Sequence, residues 1–67
     1  MNIPQDQLAY VAHQLRNPLN TISVNAELAR LQLQKQQDPN DILMSLERIL
    51  QECKLCAALL NELSPPT

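Results

Sequence analysis

Apolar residues recur along this chain at alternating steps of three and four, in two separate runs. The first run is Ala12, Leu15, Leu19, Ile22, Ala26, Ala29 and Leu33, with Leu8 extending it backwards. The second is Ile42, Leu46, Ile49, Cys53, Cys56, Leu60 and Leu63. Such steps return to one face of an α-helix and form the seam of a coiled coil or bundle. Leu43, Leu50 and Ala57 add a second stripe beside the second seam. The positions between are mostly Gln, Asn, Glu, Lys and Arg, which suit a solvated face.

The punctuation agrees with two helices. Asp38 is a good N-cap, Pro39 fits the first helical position, and Asp41 favours the positive end of a helix. Ser64-Pro65-Pro66 stops the second run, and Pro4 with Asp6 fits the first turn of the first. The pattern predicts an all-α single domain over residues 1–67: a helix over about 4–36, a turn at about 37–38 and a helix over about 39–63. The short turn makes this an antiparallel hairpin. Stripes wider than a strict two-position seam suit a four-helix bundle. One hairpin has only two helices and leaves its second stripes wet, so the pattern also predicts a symmetric homodimer.

Composition narrows the picture. Sixty-seven residues allow one small domain, and a lone domain of that size buries only about 60% of its unfolded surface. Phe and Trp are absent and Tyr occurs once, while 45% of the residues are apolar. Glycine is absent too, which rules out a Gly-rich phosphate loop in this sequence. A net charge of −2 gives no basic footprint for nucleic acid. No apolar run approaches the roughly 20 residues that cross a bilayer, and no signal peptide is visible. A cytoplasmic location is expected, with any membrane anchor in a parent protein.

Candidate chemistry lies in His13-Gln14-Leu15-Arg16-Asn17-Pro18-Leu19. His13 follows a seam residue and therefore points off the seam. Asn17, Asn20 and Val24 stand at +4, +7 and +11 from it and share its helical face. Two readings of this strip stand side by side: a docking surface, or an ordinary solvated face. Pro18 lacks an N–H and denies the Gln14 carbonyl its helical partner, which predicts a bend within a turn of His13.

Leu8 to Ile22 resembles the H-box of sensor histidine kinases, whose pattern is a histidine, an acidic residue, Leu-Arg, Thr or Asn, then Pro-Leu. The rest of the chain is similar only in architecture. The resemblance implies the dimerisation and histidine-phosphotransfer domain of two-component signalling, a homodimeric four-helix bundle. It implies that His13 is the phosphoacceptor, taking the γ-phosphoryl of ATP and passing it to an aspartate on the receiver domain of a response regulator. Asn17 then matches the residue that positions water for dephosphorylating the regulator, and Pro18 matches the family's kink. Arg16 matches the family arginine; phosphate contact and a bundle salt bridge are both open to it. Asn20, Thr21, Val24 and Asn25 fall where the regulator-docking surface begins. ATP and magnesium are expected on a separate ATP-binding domain, in cis within a parent kinase or in trans, with no cofactor held by this chain.

Gln14 departs from the family pattern, where the position after the histidine is Glu or Asp and is proposed to act as a general base. An amide can accept a hydrogen bond, but it takes no proton at physiological pH. This departure keeps a second function in play: a helical dimerisation module that regulates a kinase without being phosphorylated. Cys53-Lys54-Leu55-Cys56 matches Cys-x-x-Cys, but both thiols fall on the apolar seam. Zinc needs two further ligands, so small buried thiols are expected and a metal site is not.

Overall fold

The computed structural model describes residues 5–63, which form two helices: α1, Gln5–Gln34, and α2, Pro39–Asn61. Pro4 and Ser64-Pro65-Pro66, expected to punctuate the ends, lie outside the described residues. The all-α hairpin expected from the periodicity is the observed architecture. Gln7 Nε2 donates to the Glu62 carbonyl at 3.1 Å, which ties the start of α1 to the end of α2 and makes the pair antiparallel.

α1 ends at Gln34, two residues before the expected limit. Gln36 adopts φ 55°, in the left-handed region. The Gln37 N–H donates to the Gln32 carbonyl at 2.9 Å, and the Gln36 N–H donates to the Leu33 carbonyl at 3.1 Å. These are the two bonds of a Schellman motif, with Gln36 at the position glycine usually fills. The sequence offers no glycine to mark it. α2 starts as expected: the Asp38 carboxylate accepts from the Asn40 N–H at 2.9 Å, and Pro39 occupies the first turn. Its end also falls short of the expected residue 63. The Glu62 and Leu63 N–H groups reach back three residues, to Leu59 and Leu60, tightening the last turn.

The seam between the helices differs from the one expected. On α1 the seam runs through Val11, Leu15, Pro18, Ile22, Asn25, Ala29 and Gln32, all buried or half-buried, with half-buried Gln14 and Thr21 beside it. On α2 they are Ile42, Ser45, Ile49, Glu52, Cys56, Leu59 and Leu63. Leu15, Ile22 and Ala29 were expected there, as were Ile42, Ile49, Cys56 and Leu63. The remaining positions are displaced by one residue. Leu8, Ala12, Leu19, Ala26 and Leu33 of α1, and Leu46, Cys53 and Leu60 of α2, are exposed.

The physical reason is width. Each helix carries an apolar arc broader than one contact can cover. Moving alternate seam positions by one residue while the others stay turns each helix by about 50°, half the roughly 100° between neighbours, and exchanges one edge of the arc for the other. The hairpin accepts small or polar residues at Asn25, Gln32, Ser45 and Glu52 because they find partners. Ser45 Oγ donates to Gln32 Oε1 at 3.0 Å across the helices, and Arg48 pairs with Glu52 at 3.3 Å.

The outward stripe of α2 consequently reads Leu43, Leu46, Leu50, Cys53, Ala57 and Leu60, an unbroken alternation of threes and fours. Leu50 is 61% exposed. The domain measures 49 × 21 × 11 Å, so it is one helix thick, since a helix with its side chains spans about 10–12 Å.

Candidate functional site

α1 runs without interruption through Pro18, which is itself buried on the inner seam. The proline thus presses its ring toward α2 while leaving the Gln14 carbonyl without an N–H donor four residues on. Gln14 is half-buried. Placing the helix defect on the packed side leaves the opposite side free.

His13, Arg16, Asn17, Asn20 and Val24 occupy that free side and are all exposed, Val24 at 65%. His13, Asn17, Asn20 and Val24 follow one another at steps of four, three and four, so they form a continuous strip along one face. A helical side chain leans toward the N-terminus and lies over the preceding turn. Asn17 is therefore set to lean toward His13. Thr21 and Asn25, grouped with the strip from sequence, are half-buried instead. Asn25 Nδ2 donates to the Thr21 carbonyl at 2.8 Å, which turns the amide along its own helix. The free strip is narrower than the sequence set, because these two residues fall on the arc that packs against α2.

Electrostatic partners are few. Glu27 and Arg30 are hydrogen-bonded and ion-paired on an exposed face, with Glu27 one turn beyond Val24 and two beyond Asn20. The guanidinium holds the Glu27 carboxyl below the usual carboxylate range, first through the hydrogen bond and then through charge. The contribution of such an exposed pair to stability is small. It is present above the unfolded carboxyl's range and lost as pH falls through the folded one.

Sequence reasoning overlooked a shallow groove between the helices, about 360 Å³ in volume, lined by Asn25, Leu28, Gln32, Asp41, Met44 and Arg48 among others. Leu28 follows Val24 by one turn, so the groove continues the strip toward the helix connection. Met44, 69% exposed, was legible as an apolar residue off both stripes of α2.

Cys53 is exposed and Cys56 half-buried, and both are free thiols. Cys53 thus corrects the expectation of two buried thiols: the seam on which it was placed faces outward. Among the described residues no three metal-ligating side chains gather, and no helix is long and apolar enough to cross a membrane.

The arrangement is an imidazole exposed to solvent on a continuous helix. One amide stands a turn below it, and a proline-marked seam lies behind it. A family model described as the His Kinase A (phospho-acceptor) domain matches residues 5–64. No curated protein and no solved structure matches the chain.

Proposed function

The chain belongs to the His Kinase A (phospho-acceptor) domain family, and from that premise we propose that His13 is the residue that carries the phosphoryl group. The carrying observation is placement. His13 is exposed, off the inner seam, and followed by Asn17 on the same face. In its neutral form a ring nitrogen attacks the γ-phosphorus of ATP. The nitrogen–phosphorus bond forms, the bond to the bridging oxygen breaks, ADP leaves, and the ring's other nitrogen sheds its proton. In the second step the N–P bond breaks as a regulator aspartate takes the phosphoryl group. ATP and magnesium are supplied by a separate ATP-binding domain, because this sequence has no glycine loop to cradle phosphates.

Asn17 serves the return reaction. Its amide can both donate to and accept from a water approaching the regulator's phosphoaspartate. Asn20 and Val24 extend the surface on which the receiver domain docks, and Arg16 is placed to meet its acidic groups or phosphate. This reading places the domain in the cytoplasm.

The functional unit is a homodimer. The hairpin exposes 5430 Å², against about 4,300 Å² for a compact protein of its mass, an excess of roughly 1,100 Å². A standard interface takes about 800 Å² from each partner. The outward stripes, Leu8, Ala12, Leu19, Ala26 and Leu33 with Leu43, Leu46, Leu50 and Leu60, supply that face, and two copies complete a four-helix bundle.

The test is incubation of the full chain with ATP, magnesium and a histidine-kinase ATP-binding domain. Acid-labile label is expected on the wild type and absent from His13→Ala. Gln14 favours one second reading, a dimerisation module that regulates a kinase without accepting phosphate, since a neutral amide cannot act as the base in loading. Absence of label with every competent ATP-binding domain would establish that reading instead.

A further inference from the structure

Tyr10 is the only aromatic residue in the chain. It is 58% exposed and belongs neither to the inner seam nor to the outward apolar stripe, so core packing does not account for it. It stands three residues before His13, on the same helical face.

The His13 side chain is exposed on α1. Among the described residues no side-chain hydrogen bond involves the imidazole. The protein groups within its reach are then those of its own helix. In a helix a long side chain turns back over the residues three and four before it. For His13 those are Tyr10 and Ala9. Ala9 offers a single methyl group, which leaves Tyr10 as the side chain of that turn with a surface broad enough to support a ring.

We propose that Tyr10 is a positioning residue for His13, its ring supporting the imidazole from the preceding turn and restricting the rotamers from which the ring nitrogen meets phosphorus. The inference rests on the phosphoacceptor reading and deepens it. Two rings one turn apart pack in an offset or edge-on manner. A nucleophile held in fewer orientations spends more of its time aligned for attack. Asn17, leaning toward His13 from the following turn, closes the other side. The support comes from the ring and not the hydroxyl, so phenylalanine should replace tyrosine.

The test uses the full chain and potassium phosphoramidate. In that reaction the reagent's P–N bond breaks, a bond from phosphorus to the His13 nitrogen forms, and ammonia leaves. Labelling rates are compared for wild type, Tyr10→Ala and Tyr10→Phe, alongside the His13 ring signals in nitrogen-correlated NMR spectra and the thermal midpoint. Tyr10→Ala is expected to slow labelling by about five- to tenfold and to shift the ring signals, with the thermal midpoint unchanged. Tyr10→Phe is expected to label within about twofold of wild type. Wild-type labelling and ring signals in Tyr10→Ala would overturn the proposal, as would a Tyr10→Phe variant that behaves like Tyr10→Ala. The reagent needs no kinase domain, so this result is separable from failure of the ATP experiment. If the wild type takes no label from phosphoramidate, the ring signals alone decide whether Tyr10 supports His13.

Discussion

Among the described residues, Gln36 is the one whose backbone conformation suits its side chain least. At φ 55° it occupies the left-handed region that a side chain with a Cβ enters at a cost of about 1–2 kcal/mol. The two Schellman bonds that close α1 hold it there. Gln36→Gly should remove this cost while adding some freedom to the unfolded chain, for a net gain of about 1 kcal/mol. Thermal unfolding at fixed protein concentration should show a midpoint higher by about 4–8 °C; a lower midpoint would refute the argument. His13 shows the opposite relation between residue and frame. It sits in an ordinary helical conformation on an uninterrupted helix, and its distinction lies in being left free of the core.

The helices owe their boundaries to different kinds of signal. α2 begins where a capping carboxylate and a proline stand side by side, and both were readable in advance. Asp38→Ala should cost about 1 kcal/mol by leaving the Asn40 N–H without its acceptor, and Asp38→Asn should recover most of it. Circular dichroism melts of the three proteins would check the order. α1 ends through backbone bonds to a residue type that gives no such signal, so its end was placed two residues late. Which half of each apolar arc turns inward was likewise hidden. Alternate a-type positions such as Ala12 and Val11, or Leu19 and Pro18, are neighbours on the helix and both apolar. The choice between them depends on what the facing helix presents. Asn25 and Gln32 are residue types that suit a solvated face, yet they lie on the seam with Ser45 because the hydrogen bonds there satisfy them.

At the scale of the whole molecule, a slab 11 Å thick has no interior beyond a single line of contacts. Val11 is the one large side chain wholly removed from solvent among the described residues. The proposed dimer would supply the core that one hairpin lacks. Sedimentation equilibrium should give about twice 7.6 kDa for the wild type. Leu46→Lys with Leu50→Lys should shift the mass to a single chain and lower the unfolding midpoint by at least about 10 °C, because two charges would be buried in the joint. Unchanged mass and midpoint would place the dimer face elsewhere.

The sequence by itself determined the local features: two amphipathic helices, the cap that opens the second, and a histidine, an asparagine and a proline at fixed helical spacing. These follow from interactions between residues within a few positions of one another, and spacing records them. Only the tertiary structure decided which edge of each apolar arc faces the partner helix. It also decided that Pro18 lies inside, that Thr21 and Asn25 leave the exposed strip, and that Cys53 faces solvent. Those outcomes depend on rotations of about 100° between neighbouring residues of similar hydrophobicity, and only contact with a second helix distinguishes them.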